Sequence, residues 1–282
     1  MRKSVHIAML GGFHIYVDGE SMDQLVSKSR KGMLLLQYLA LQHGESVPIY
    51  RLIDALWSGE SSSNPESALK TLVSRLRVML AQVSPALAAC IVTERGSYRW
   101  VTQNGVTVDL YEFEELEHRL NGCTALTPQS RADYQQVLRL YTGNLLQGNE
   151  EEWVVNRSVT LHTAYLKLVY QYLNLLKEQE LYEEIINVCR TALDVDAFDE
   201  TLHLQLMNAL VKTCRNNEAL MQYKHVTNLH FRYLGVQPPE GIQEFYKQII
   251  QAGNTLEMNN DSIREELQEY GEVSGAFVCE YA

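Results

Sequence analysis

The residues best suited to chemistry in this 282-residue chain are hydroxyls and cations spaced along one segment, 64–80. Folded as a helix at ~100° per residue, the segment gathers polar side chains on one side. They are Ser67, Lys70, Thr71, Ser74 and Arg77. Lysine and arginine neutralise phosphates or bond to guanine edges, and short hydroxyl side chains let a helix backbone approach closely. The pattern predicts contact with nucleic acid, and the alternative is a solvated helix face.

The same segment carries signals for where the helix begins and which side is buried. Asn64 is a favourable N-cap, and Pro65 suits the first helical position. Apolar residues fall within an arc of about 120° opposite the polar side. They are Leu69, Leu72, Val73, Leu76, Met79 and Leu80. Arg75 lies at the edge of this arc, where its stem can pack while its head reaches solvent, and Val78 interrupts the polar side.

Short strands and two further helices precede this helix, and a hairpin follows it. Strands are expected at 5–10, 13–17, 91–93 and 98–101, and helices at 28–42 and 49–57. The hairpin tip, 94–97, carries Arg95 and Gly96. Strands, three helices and a hairpin in this order indicate a winged helix-turn-helix, with the third helix free to enter a major groove.

The rest of the chain has the periodicity of helices, so the fold class is mainly α with a small α+β N-terminal domain. Helices are expected at 109–121, 128–142, 151–179, 181–194, 198–213, 216–233 and 239–251. The segments 175–177 and 210–212 align at a spacing of 35 residues. A helix pair repeated at this length predicts a tetratricopeptide-like all-α helical repeat domain.

Charge divides the chain into two parts. Residues 1–105 hold 11 Lys and Arg against 8 Asp and Glu, a net +3, whereas residues 106–282 hold 13 against 27, a net −14. The change of sign predicts two modules with different partners, the first able to approach phosphates and the second repelled by them. With the order of elements, it places a winged-helix domain at 1–105 and a helical domain at 106–251. Residues 252–282 are expected to be an acidic tail or the start of a further domain.

Several classes of protein are excluded by what the sequence lacks. The five cysteines form no CxxC pair, and the eight histidines form no i, i+4 metal pair on one helix. Phosphate-loop, dinucleotide, zinc-protease and serine-hydrolase motifs are absent, so we expect no enzyme, no cofactor and no metal. No apolar run approaches ~18 residues and no signal peptide is recognisable, so we expect a cytoplasmic protein without membrane contact.

Two other sets of residues allow more than one interpretation. Eight aromatic residues of the helical part either pack between helices or line a ligand groove. They are Tyr165, Tyr170, Tyr172, Tyr182, Phe198, Tyr223, Phe231 and Tyr233. The acidic runs 112–117 and 150–152 are solvated helix surface or, alternatively, hold a cation.

Four motifs give the sequence a family resemblance. The segments 10–13, 51–57, 68–77 and 95–99 resemble the OmpR/PhoB-type winged helix of the SARP/AfsR family of bacterial transcription factors. The segment 234–239 and the helices before it are similar to that family's bacterial transcriptional activator domain. The resemblance covers roughly residues 4–251. It implies an activator that binds tandem repeats of double-stranded DNA and contacts RNA polymerase.

The resemblance also implies which residues meet DNA. The family's recognition helix corresponds to 65–80, and Arg95 and Gly96 match its wing, whose arginine usually reaches a minor groove. The groove-facing positions are Lys70, Thr71, Ser74, Arg75 and Arg77, and Ser67 lies on the same side. Arg99 either joins these contacts or braces Glu94. Val78 stands where family members often carry a second basic residue, and Ser97 stands in place of the glycine of the usual Gly-Tyr-Arg.

The helical half is expected to serve self-association or homodimer formation, polymerase contact, or the binding of an unknown small-molecule or protein effector. A second hypothesis of a different class remains open at this point. In it, the chain is a helical-repeat protein–protein scaffold whose winged helix does not bind DNA. Salt-sensitive DNA binding that depends on Lys70, Arg77 and Arg95 separates the two hypotheses.

Overall fold

The structure is a computed structural model that describes residues 4–26, 29–57 and 64–251. Its contacts divide the chain into two compact units, unit 1 (Met1–Leu175) and unit 2 (Leu176–Ala282). The proposed tail or further domain at 252–282 lies outside the described residues. In chain order the elements are β1 (Val5–Ala8), β2 (His14–Val17), β3 (Glu20–Ser21), α1 (Asp23–Val26), α2 (Arg30–Leu41), β4 (Ser46–Pro48), α3 (Ile49–Trp57), α4 (Pro65–Val83), α5 (Pro85–Ala89), β5 (Ile91–Glu94), β6 (Ser97–Trp100), β7 (Val106–Val108), α6 (Asp109–Leu120), α7 (Pro128–Leu140), α8 (Glu152–Glu178), α9 (Tyr182–Val195), α10 (Glu200–Lys212), α11 (Asn216–Leu234) and α12 (240–251).

A four-stranded sheet in the order β3-β2-β1-β7 forms the N-terminal part of unit 1. The antiparallel pair of β1 and β2 confirms the strands expected at the start of the chain. Asp18 (φ 52°) and Gly19 (φ 88°) form the tight turn between β2 and β3. Two residues with positive φ give the turn the twist that a hairpin requires. β7 adds a parallel edge beside β1 that the sequence did not predict.

The winged helix of unit 1 contains α2, α3 and α4 and a second sheet in the order β4-β6-β5. The expected hairpin is present as β5 and β6, with Glu94 opposite Ser97. The sequence did not predict β4, which is only three residues long and ends in Pro48. Leu35, Leu52 and Trp100 are almost fully buried in this part of the chain and form its core.

Asp109 connects the first sheet of unit 1 to α6. Its carboxylate accepts hydrogen bonds from the backbone amides of Met9 at 2.8 Å, Leu10 at 3.0 Å and Leu110 at 2.6 Å. Burial raises the pKa of this carboxyl, and the three amide hydrogen bonds oppose the rise. A carboxylate in this setting satisfies several buried donors at once, so its loss leaves them without partners.

The helical part of unit 1 is built around stacked tyrosines. The rings of Tyr134 and Tyr172 stack with centroids 4.7 Å apart, and those of Tyr141 and Tyr165 stack at 4.3 Å. All four side chains are buried. Of the eight aromatic residues singled out above, Tyr165 and Tyr172 are therefore core residues. Phe231 and Tyr233 in unit 2 are 70% and 73% exposed, so they are not.

In unit 2, one type of turn follows α8 and recurs after α10. Glu180 (φ 55°) and Cys214 (φ 59°) both adopt the left-handed conformation. The residue after each donates its amide five residues back, from Leu181 to Leu176 at 3.0 Å and from Arg215 to Leu210 at 2.8 Å. This is the Schellman ending of a helix. The equivalent turns are 34 residues apart, one fewer than the 35 obtained by aligning the sequence.

α9, α10 and α11 pack in succession, as expected for a helical repeat. Leu202, Met207 and Leu210 of α10 are almost fully buried. Gly235, with φ 69°, ends α11, and the chain resumes a helix at α12, where Ile242 is fully buried. The helices expected at 216–233 and 239–251 are thus confirmed, with Gly235 and two prolines between them. Among the described residues, no helix is both long and apolar enough to span a membrane.

Candidate nucleic-acid interface

α4 begins and ends where its local sequence requires. The Asn64 side chain accepts a hydrogen bond from the Ser67 amide at 3.1 Å, and Pro65 occupies the first turn. The amide of Ser84 bonds to the Leu80 carbonyl at 2.8 Å as the helix ends. These contacts satisfy backbone groups that a helix end would otherwise leave without partners. The helix expected from 64–80 is confirmed and extends three residues further.

α4 has one buried side and one exposed side. The buried side is formed by Leu69, Val73, Leu76, Leu80 and Val83. The exposed side includes the predicted contact residues Ser67, Lys70, Thr71, Ser74 and Arg75. The Thr71 hydroxyl donates to the Ser67 carbonyl at 3.0 Å, which holds this short side chain against the helix. Short side chains of this kind allow a partner to approach the helix backbone closely.

Arg77 differs from the other predicted contact residues because it is half-buried and bonded within the chain. Its Nη2 atom donates to the Ile91 carbonyl at 2.6 Å and to the Thr93 hydroxyl at 2.8 Å. These bonds connect α4 to β5. Arg77 therefore braces the helix against the hairpin, a role that the sequence did not indicate.

The hairpin tip presents Arg95 and Gly96, both of which are exposed. Gly96 has φ 78°, a left-handed conformation that favours glycine. Its carbonyl accepts a hydrogen bond from the Ile49 amide at 3.1 Å, so the tip is fixed to the first residue of α3. Tyr50 and Arg51, which follow Ile49, are exposed beside this connection. Their nearness to the tip was not apparent from the sequence.

Arg99 forms an ion pair with Glu94 across the hairpin. Glu94 also accepts a hydrogen bond from the Ser46 hydroxyl at 2.6 Å. The bond from Ser46 and the adjacent Arg99 guanidinium hold the pKa of the Glu94 carboxyl below its ordinary value. Of the two roles that the sequence left open for Arg99, the structure shows the brace to Glu94.

The remaining cations of this surface carry charge that the described part of the chain does not neutralise. Among the described residues, none forms an ion pair with Lys70, Arg75 or Arg95. By contrast, Arg157 forms an ion pair with Glu114. This carboxylate belongs to the acidic run at 112–117, so the run is more than a solvated surface. Exposed cations without partners attract external anions, and the attraction decreases as salt increases.

Two family models match the chain, one after the other. The model described as bacterial transcriptional activator domain matches residues 108–250, about half of the chain. The model described as transcriptional regulatory protein, C terminal, matches residues 23–99 and so includes α4 and the hairpin. The chain belongs to the SARP/AfsR family of transcriptional regulators.

Three curated relatives support this membership of the SARP/AfsR family. The regulatory protein AfsR of Streptomyces coelicolor is 28% identical over 255 residues, which are 90% of this chain and 25% of AfsR. AfsR of Streptomyces griseus is 28% identical over 234 residues. The chain thus spans about a quarter of the length of these two relatives. The regulatory protein DnrI of Streptomyces peucetius is 24% identical over 276 residues, which are 97% of its length.

A solved structure shares the fold. Mycobacterium tuberculosis EmbR, in complex with a low-affinity phosphopeptide, superposes with a TM-score of 0.60 at 19% identity. The match covers 89% of this chain and 66% of EmbR. It confirms the expected architecture of a winged helix followed by a tetratricopeptide-like helical domain. Membership of the SARP/AfsR family does not favour the scaffold hypothesis, whereas the expected absence of catalysis stays a prediction.

Proposed function

We propose that this SARP/AfsR chain is a sequence-specific DNA-binding transcriptional regulator that inserts α4 into the major groove. One observation carries the proposal. Lys70 and Arg75 are exposed on α4 without an ion-pair partner among the described residues, and the opposite side of the helix is buried. Such cations neutralise phosphates or bond to guanine edges, and the buried side fixes the helix to the rest of the fold.

The proposed contact residues have two different roles. Lys70, Arg75 and Arg95 meet DNA directly, with Arg95 and Gly96 of the hairpin tip at the neighbouring minor groove. Ser67, Thr71 and Ser74 allow the helix backbone to lie close to the base edges. Arg77 and Arg99 act as supports, because their guanidinium groups are bonded to the hairpin. Tyr50 and Arg51 of α3 add a contact to the phosphate backbone.

The remaining features of the proposal rest on family membership and on the similarity to AfsR and DnrI. The protein activates promoters from tandem repeats and contacts RNA polymerase in the cytoplasm. The functional boundary lies at 105/106, although β7 just beyond it completes the first sheet. Residues 106–251 provide self-association and the site of any effector.

The first experiment is selection of genomic DNA fragments by the purified full chain, followed by affinity measurements on the enriched motif at several salt concentrations. We expect a repeated motif, a footprint over at least two direct repeats, and an affinity that falls steeply with salt. Lys70→Ala and Arg95→Ala each weaken binding and reduce the slope against log salt by about 1 if the lost contact is to a phosphate.

Lys224→Ala is the matched control because Lys224 is an exposed lysine of α11, far along the chain from α4. It should bind like the wild type. Binding without an enriched motif, or equal binding by the Lys70→Ala variant, would refute the proposed function. A footprint over a single site by monomeric protein would refute tandem binding alone.

A further inference from the structure

Val78 is an apolar residue on the polar side of α4. Its side chain is 61% exposed, and within α4, which the structure describes completely, it is the one large hydrophobic residue exposed to this degree. Ser67, Thr71, Ser74 and Val78 follow each other at intervals of four, three and four residues. At ~100° per residue these positions fall within an arc of about 60°. Val78 therefore continues the row of short side chains proposed to approach the bases.

The neighbours of Val78 leave it accessible. Arg77 is turned toward the Ile91 carbonyl and so does not cover it. Ala81 and Gln82, on the next turn, are exposed as well, and neither is a cation that would draw this part of α4 to a phosphate. Valine is stiff at χ1 in a helix, so its two methyl groups have a nearly fixed position.

In the major groove, the C5-methyl group of thymine is the one base substituent that an apolar side chain recognises. A single exposed valine is ordinary at a protein surface. This one, however, lies in line with the short side chains proposed to approach the bases, and it has neither charge nor hydrogen-bonding capacity. The chemistry that remains to it is apolar contact.

We propose that Val78 determines specificity by contacting the methyl group of a thymine in the operator. This inference rests on the proposed function and assigns to one base pair of each repeat the sequence A·T, with thymine on the strand nearer to Val78. Lys70 and Arg75, in contrast, contribute attraction that depends on salt.

The test removes one methyl group from DNA at a time. Each thymine of the selected motif is replaced in turn by deoxyuridine, and the affinities of the wild type and Val78→Ala are measured on every duplex. At one position we expect the wild type to lose about fourfold in affinity, the effect of one buried methyl group. Val78→Ala should bind the thymine duplex less tightly than the wild type and should show no further loss on deoxyuridine at that position.

Two controls make the outcome decisive. Val159→Ala truncates a valine of similar exposure, 64%, on α8 and should retain the wild-type response to deoxyuridine. The circular dichroism and melting temperature of Val78→Ala should match the wild type because the side chain is exposed. If wild type and Val78→Ala respond alike to every deoxyuridine substitution, the contact is refuted while the proposed function stands. If the wild type selects no motif, both are refuted.

Discussion

Lys70 and Arg75 of α4 have surroundings opposite to those of Arg190 and Arg215 in unit 2. In unit 2, Arg215 bonds to Glu218 at 2.7 Å and to Glu183 at 3.2 Å, and Arg190 bonds to Glu218 at 3.0 Å. The hydrogen bond from Arg215 holds the pKa of Glu218 below its ordinary value. On α4, Lys70 and Arg75 have no such partner among the described residues.

Among the described residues, the same contrast between paired and unpaired cations separates two arginines of α4 that are two positions apart. Arg75 is exposed, whereas Arg77 is bonded to the Ile91 carbonyl and the Thr93 hydroxyl. A cation that its own chain satisfies stabilises the fold, and a cation left without partners is available for an external anion. Residue type alone does not distinguish these roles, because both residues are arginines on one helix.

The largest effect should come from reversing a charge that has no ion-pair partner among the described residues. Arg75→Glu should lower the affinity for the selected DNA by about 10- to 100-fold, because it removes an attraction and adds a repulsion. The melting temperature should stay that of the wild type. Titration with labelled DNA measures the first quantity and thermal unfolding the second. Lys224→Glu is the control, and an equal loss of affinity in that variant would show that only net charge matters.

Truncating the bonded arginine should give the opposite pattern. Arg77→Ala leaves the Ile91 carbonyl without its donor, so the free energy of unfolding of unit 1 should fall by about 1–3 kcal/mol. Urea denaturation followed by circular dichroism measures this change. Arg75→Ala serves as the matched variant and should leave stability unchanged. Equal stabilities of the two variants would end the distinction between bracing and available arginines.

The buried imidazole of His203 should make the stability of unit 2 depend on pH. Burial holds the pKa of His203 below its ordinary value of 6.5, although the Ala197 carbonyl at 2.9 Å opposes the decrease. The unfolded chain therefore binds this proton more readily, and unit 2 should lose stability as pH falls below about 6.5. Melting curves at several pH values measure the loss. His203→Gln should show a weaker dependence on pH, and an unchanged dependence would assign it to other groups.

The smallest effect is expected where cations are paired at the surface. Arg215→Ala should lower the melting temperature of unit 2 slightly, and added salt should narrow the difference from the wild type because exposed ion pairs are screened. Affinity for DNA should not change. Calorimetry at low and high salt tests the first expectation, and the same DNA titration tests the second. A marked loss of DNA affinity would mean that unit 2 contributes to the interface.

Local signals in the sequence predicted the helices well. Asn64 and Pro65 predicted the start of α4 correctly, and Gly235 stands where α11 ends. Both signals act on backbone groups next to them, so they can be read without knowing the fold. The left-handed residues Glu180 and Cys214 carry no such signal, because neither is a glycine. This explains why the alignment of the repeat was one residue too long.

What the sequence could not predict depends on contacts between distant segments. β7 pairs with β1 about a hundred residues earlier, and β4 is too short to produce a periodic pattern. In the candidate site, the exposed side of α4 was predictable from helical periodicity. The bonds of Arg77 to β5 were not, because they arise only when the hairpin packs against the helix.

The carboxylate of Asp109 has a consequence for how the protein is made. During synthesis, β1 emerges from the ribosome about a hundred residues before its neighbour β7 and before Asp109, the acceptor for the amides of Met9 and Leu10. Closing so long a loop is slow compared with forming a hairpin. The first sheet therefore stays incomplete until the helices that separate β3 from β7 in the sequence have been translated.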